Sequence, residues 1–189
     1  MADATWILYF RKNSHSMVKK ELVLTAVKYG VVGGILIISP FLMLHFMDLK
    51  PLINLNTLIL EGMLMFIFIY LGTREFRDNH NQGILKFWQG MTSGFLIYLI
   101  MTLIFLIFLW MFIYYMVPDY LESYKLGAAE YLDDSLEKIT DEAEKEILLQ
   151  QKENIDNTSR GDLLLDGIFK KLILGLIITP ISTVFLRRY

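Results

Sequence analysis

The chain has 189 residues, of which 54% are hydrophobic and 20% charged, with a formal net charge of −2 and no cysteine. The missing thiol excludes disulfides, thiolate metal sites and cysteine nucleophiles. A mean hydropathy of +0.44 lies well above that of soluble domains and puts the chain in the membrane class before any motif is read.

Residues 1–21 are a basic segment with a short apolar patch, Trp6 to Phe10, followed by Arg11, Lys12, Lys19 and Lys20. It reads either as a cytoplasmic tail or as an interfacial segment with its bases on anionic lipid. Met17 is an alternative start, because MVKKELVL is an ordinary beginning for a membrane protein. The first predicted span is Leu22–Phe46. Gly30 and Gly34 form a small-xxx-small pair for close helix packing, and Ser39-Pro40 predicts a kink. A short turn, Met47 to Pro51, makes the next span, Leu52–Gly72, an antiparallel neighbour. Glu61 falls near its middle. The loop 73–87 is basic and aromatic.

The third span, about 88–117, belongs to a run from Phe87 to Val117 that contains no Asp, Glu, Lys or Arg. Roughly 20 apolar residues cross a hydrocarbon core of about 30 Å, and this run is longer. Its apolar residues point in every direction, which suits lipid or a large core, and a chain this short has no large core. We therefore expect a lipid-facing wall, with Gly90 and Gly94 as packing positions. Residues 118–161 are a different material, acidic and helix-favouring. Leu132, Leu136, Ile139, Ala143 and Ile147 leave one narrow apolar stripe. The expected form is two water-exposed helices, about Asp119–Ile139 and Asp141–Glu153, bent at a Thr140 cap; one unbroken helix is the alternative. The fourth span, within 162–189, is interrupted by Asp166, Lys170 and Lys171, carries Thr179-Pro180, and ends in Arg187 and Arg188.

The fold class is thus all-α: an integral membrane protein of four spans, with an extracytoplasmic acidic helical segment between spans three and four. Basic flanks stay in the cytoplasm. The N-terminal segment, the Arg74/Arg77/Lys86 loop and the terminal arginines then share one side, while the Lys50 turn and the acidic segment share the other, periplasmic in a Gram-negative cell. Both termini are cytoplasmic, and the expected location is the inner membrane.

Chemistry is scarce. His15, His45 and His80 lie in separate flanks, and no metal, phosphate-binding or nucleophile motif is present. We expect no metal, no cofactor, no catalytic residue and no nucleic-acid partner. Glu61 has a physical case, since mid-membrane charges are costly and face a partner or a pathway. Counted along the helices from the cytoplasmic side, Glu61 lies roughly 18 Å up, Lys28 roughly 12 Å and Lys170 roughly 24 Å. Both lysines are expected partners, and Asp166 and Lys170 pair at i,i+4. Three readings follow: a static bridge that fixes packing, a proton or cation site, or a Glu61 nearer the interface than the count suggests.

The pattern resembles a bacterial membrane family catalogued only as a domain of unknown function, number 4199. The resemblance runs from about Lys20 onward. It rests on KYGVVGG (Lys28 to Gly34), the spacing RDxxxxGxxxFxxG (Arg77-Asp78, Gly83, Phe87, Gly90), YYMVPDY (Tyr114 to Tyr120), the acidic segment and the closing span with its arginines. Residues 1–16 look like an addition. The resemblance implies four spans and an inner-membrane location, and it carries no activity. Three functions compete. A non-enzymatic subunit or assembly scaffold of an envelope complex would bind a protein partner through its outer helices. A small proton- or cation-coupled transporter or channel would use Glu61 and need a homo-oligomer. An intramembrane enzyme is the weakest, for want of chemistry.

Overall fold

The computed structural model describes residues 20–187, so the readings for the basic N-terminal segment, Met17 included, and for Arg188 fall outside the described residues. Within them the chain is helical and contains no strand. Helices α1 (Lys20–Leu36) and α2 (Ile38–Phe46) form the first long rod, α3 (Leu55–Glu75) the second, α4 (Phe87–Met111) the third and α7 (Arg160–Leu186) the fourth. Between the last two stand α5 (Tyr120–Leu136) and α6 (Glu142–Asn154). The four rods are each long and apolar enough to cross a bilayer. The protein is a multi-pass membrane protein.

Local chemistry places the breaks. Pro40 has no N–H for the Leu36 carbonyl, and the Ser39 hydroxyl donates to that carbonyl instead at 2.7 Å. The helix therefore breaks at Ile37 and resumes, rather than ending. Below α3 and α4 the last turns widen into π-helical turns, Phe76–His80 and Phe112–Met116. Pro118 stops the second of these by holding Val117 out of the helical region, at φ −135° and ψ 76°. Ser159 and Asp162 close a reciprocal capping box at the start of α7. In the acidic segment the cap is Asp141, whose carboxylate accepts from the Ala143 amide at 2.8 Å, and not Thr140.

The largest correction concerns the charge-free helix. It is the central rod, packed against α1 on one side and α7 on the other, and it is the most buried of the four spans. Ile97, Met101, Phe105 and Leu109 are closed from solvent. Uniform hydrophobicity says only that a helix avoids water. Which faces meet lipid is decided by the small residues that let neighbours approach. Gly30 and Gly34 of α1 lie against Ile100 and Ile104 of α4, while Gly90 and Gly94 of α4 lie against Thr183 and Thr179 of α7. A Cβ at any of the four would overlap those side chains, so all four glycines pack within the chain.

The two ends differ. At one, Leu22, Phe76, Leu85 and Leu186 make a small apolar cluster among basic residues. At the other, the loop 47–54 meets α5, where Lys50 Nζ donates to Ser123 Oγ at 2.7 Å and its stem lies against Gly127. Phe41 gathers Phe105, Phe108, Phe112 and Tyr120 around it there, with ring centroids 5.1–6.1 Å away. Burial holds the Tyr120 phenol well above the ordinary tyrosine value, and it raises Tyr124 likewise. The rest of the acidic segment is open: α6 has no buried residue, and of the expected apolar stripe only Leu132 is buried.

Candidate functional site

The site is built where α3 and α7 cross behind α4. On α3 the buried face steps by four: Thr57, Glu61, Met65, Ile69, Thr73 and Arg77. On α7 it does the same: Leu163, Gly167, Lys171, Gly175, Thr179 and Thr183. These stripes carry Glu61 and Lys171 into the same layer. Lys171 Nζ donates to Glu61 Oε2 at 3.0 Å, with side chains 3% and 4% exposed. The same ammonium stands 3.3 Å from the centroid of the Phe105 ring on α4. A carboxylate on one side and an aromatic face on the other satisfy a charge that lipid would reject.

This corrects the expected partners. Neither Lys28 nor Lys170 bridges Glu61. Lys28 lies in the other half of the bundle, where its Nζ sits 2.9 Å from Glu75 Oε2, and the Tyr29 hydroxyl donates to the same oxygen at 2.6 Å. Lys170 points away from the Glu61 carboxylate that Lys171 meets because consecutive helical residues point about 100° apart. It donates to Asp166 at 2.6 Å, its i,i+4 neighbour, and to the Leu52 carbonyl at 2.7 Å, so it pins the loop 47–54 onto α7. The depth also shifts. The turn before α3 runs to Asn54, whose side chain caps the helix by accepting from the Asn56 amide. Glu61 is therefore six residues into α3, about 9 Å from its start at 1.5 Å per residue. The missed residue, Lys171, had a signal: Gly167, Lys171, Gly175 and Thr179 mark the bundle-facing side of α7 by their small size, and Lys171 lies on it while Lys170 does not.

A cleft of about 160 Å³ opens between the loop 51–55 and α7 and reaches both members of the pair. Above it, a second hollow of about 450 Å³ lies between the same loop and the helices α5 and α6, with Lys170 at its edge. At the opposite end, buried Arg77 forms a two-point pair with Asp78, at 2.6 and 3.0 Å, and donates to the Leu186 carbonyl at 3.1 Å, the last helical residue of α7. That contact closes an orphan helix carbonyl. Among the described residues no group of three or more His, Asp or Glu gathers in a way that could hold a metal ion.

Four long apolar helices around a buried ion pair define a four-span helical membrane protein. Residues 28–188 match the family model described as "Protein of unknown function (DUF4199)", and the chain belongs to that family. No curated protein and no solved structure matches it.

Proposed function

We propose that the protein is a non-enzymatic scaffold of the bacterial envelope. Its bundle sits in the inner membrane, and its acidic helices project from the extracytoplasmic face to hold a protein partner. The observation that carries this reading is α6. A helix of 13 residues that buries nothing in its own chain is at the length where isolated helices are marginal in water. Its C-terminal end is tied to α5 by the Lys152–Asp133 pair, and Lys125 Nζ holds the turn that follows through the Asp156 carbonyl at 2.8 Å. Residues 119–159 hold twelve acids against four bases, a net charge of −8. Ile147 and Leu149 stand 56% and 50% exposed among them. Such a surface suits a partner that offers basic side chains around an apolar patch.

The charged ends support this orientation. Lys20, Arg74, Arg77 and Lys86 gather at the end opposite the acidic helices, which favours that end for the cytoplasm. Cysteines at Ser135 and His80 are expected to label from opposite sides of the membrane, and labelling from one side would overturn it. The function is tested by purification from native membranes. A stoichiometric partner is expected with the full chain and is lost when Glu142–Asn154 is replaced by a flexible Gly/Ser linker. An unchanged set of co-purifying chains, or a pure homo-oligomer, would overturn the scaffold reading.

A further inference from the structure

A scaffold needs no route for water to a buried carboxylate, yet one is present. The 160 Å³ cleft is floored by Glu61 and Lys171 and rimmed by Leu52, Asn54 and Lys170. At about 30 Å³ per molecule it has room for several waters. Towards the basic end the bundle is shut. Met65, Ile69, Ile97 and Met101 are 0% exposed, and the Tyr98 ring fills the space that Gly175 leaves open. The pair thus communicates with one end of the molecule and is sealed from the other.

The hydrogen bonding of the pair is also incomplete. Oε2 of Glu61 accepts from Lys171, while no described residue donates to Oε1. Thr57, one turn nearer the cleft end on the same face of α3, is buried with its hydroxyl unpartnered. Lys171 does not depend on the carboxylate alone, because the Phe105 face also holds its ammonium. The other charged and titratable groups around the pair are Lys170 and Asp166 on α7 and Tyr120 and Tyr124 on α5. α4 presents only the Phe105 ring to the Lys171 ammonium.

We propose that Glu61 is a proton-binding site, loaded through the cleft from the end that carries the acidic helices, with Lys171 as its tethered counter-ion. A proton carried by cleft water adds to a lone pair of Oε1, and the water molecule is released. Glu61 becomes neutral, Lys171 keeps its charge against Phe105, and no other bond changes. Because the far side is sealed, the proton returns by the same cleft, so the site reports the acidity of one compartment.

The test uses the full-length protein in proteoliposomes with the acidic helices outward, sorted by external protease sensitivity. Infrared difference spectra are recorded as the external medium is acidified from about pH 8 to about pH 4. The comparison is the double variant Glu61→Gln/Lys171→Met, which removes both charges together and so leaves neither stranded. Wild type minus double variant is expected to show one carboxylic-acid C=O band, growing with external acidity and unmoved when only the internal pH changes. In parallel, a hydrophobic carbodiimide, which captures protonated carboxyls, is expected to modify Glu61 in wild type several-fold more at the acid end of the range. This arm needs no variant. A wild-type-minus-variant difference with no such band, a response of that band to internal pH, or a Glu61 adduct yield that is flat with pH would each overturn the proposal.

Discussion

Two lysine–glutamate pairs tie α3 into the bundle, and they differ mainly in what surrounds them. Lys171 and Glu61 are 3% and 4% exposed, with the Phe105 ring against the ammonium. Lys28 and Glu75 are 61% and 21% exposed, and a tyrosine hydroxyl shares the carboxylate. Their N···O distances are nearly equal, 3.0 and 2.9 Å. Distance therefore does not separate them. What separates them is the fate of the survivor when one partner is lost: one would be left within the bundle with only the narrow cleft beside it, and the other keeps an alternative donor or reaches the rim.

The largest effect should come from breaking the buried pair. Among the described residues, Lys171→Ala leaves Glu61 without a side-chain donor, and Glu61→Ala leaves Lys171 against the Phe105 ring without its carboxylate. Each single change is expected to destabilise the bundle by about 3–5 kcal/mol, read as a shifted denaturation midpoint in detergent. Glu61→Leu with Lys171→Met should recover most of that loss, because replacing both charges with apolar groups of similar volume is near neutral. If the double change is no better than the singles, the pair is not the unit that matters. Next comes the seal beneath it. Gly175→Val puts side-chain atoms into the space of the Tyr98 ring, which is itself held between α4 and α7. Overpacking of this kind is expected to cost about 1–3 kcal/mol and to open the apolar layer. Solvent access to the Glu61 layer, followed by hydrogen exchange, should rise with it.

The span pattern and the two-ended charge were legible in the chain because both depend on composition over many residues. The position of α4 was not. Its sequence is apolar all round, so nothing in its own periodicity marks an inner face. The answer lies in Gly30 and Gly34 on α1, and in Thr179 and Thr183 on α7, which fit against it. The Glu61 partner was missed for a related reason. Depth counted along straight helices from the cytoplasmic side takes the second span to end at Gly72, whereas α3 runs to Glu75 and a π-helical turn carries it to His80, which moves Glu61 outward. Depth alone also cannot distinguish Lys170 from Lys171, which differ by one residue in height and by a large rotation in direction. The i+4 run of small residues on α7 resolves that, and it is present in the sequence.

A smaller effect is expected away from the bundle. Asp141→Ala removes the carboxylate that caps α6, worth about 1 kcal/mol to that helix. Because α6 buries nothing, the loss should stay local. Amide exchange would quicken across Glu142–Asn154 while the midpoint of the bundle stays put. A matching shift of the bundle would mean that the outer helices and the spans unfold together, against the scaffold reading in which they are separable.

The smallest effect is expected from Lys28→Ala, and it is the sharpest check on the comparison. The ammonium bonds both oxygens of Glu75, at 3.0 and 2.9 Å, so by geometry it is the better-formed of the two pairs. Its exposure reverses that ranking. Exposed pairs contribute about 0–1 kcal/mol, since their charges keep access to water and their long stems lose freedom on pairing. The Tyr29 hydroxyl still donates to Glu75 after the change, so no buried acceptor is orphaned. Removing that donor as well, with Tyr29→Phe, should cost more in the absence of Lys28 than in its presence, which a double-mutant cycle would read as coupling. A loss from Lys28→Ala as large as that from Lys171→Ala would place Glu75 in the same class as Glu61, and burial would cease to be what distinguishes the two pairs.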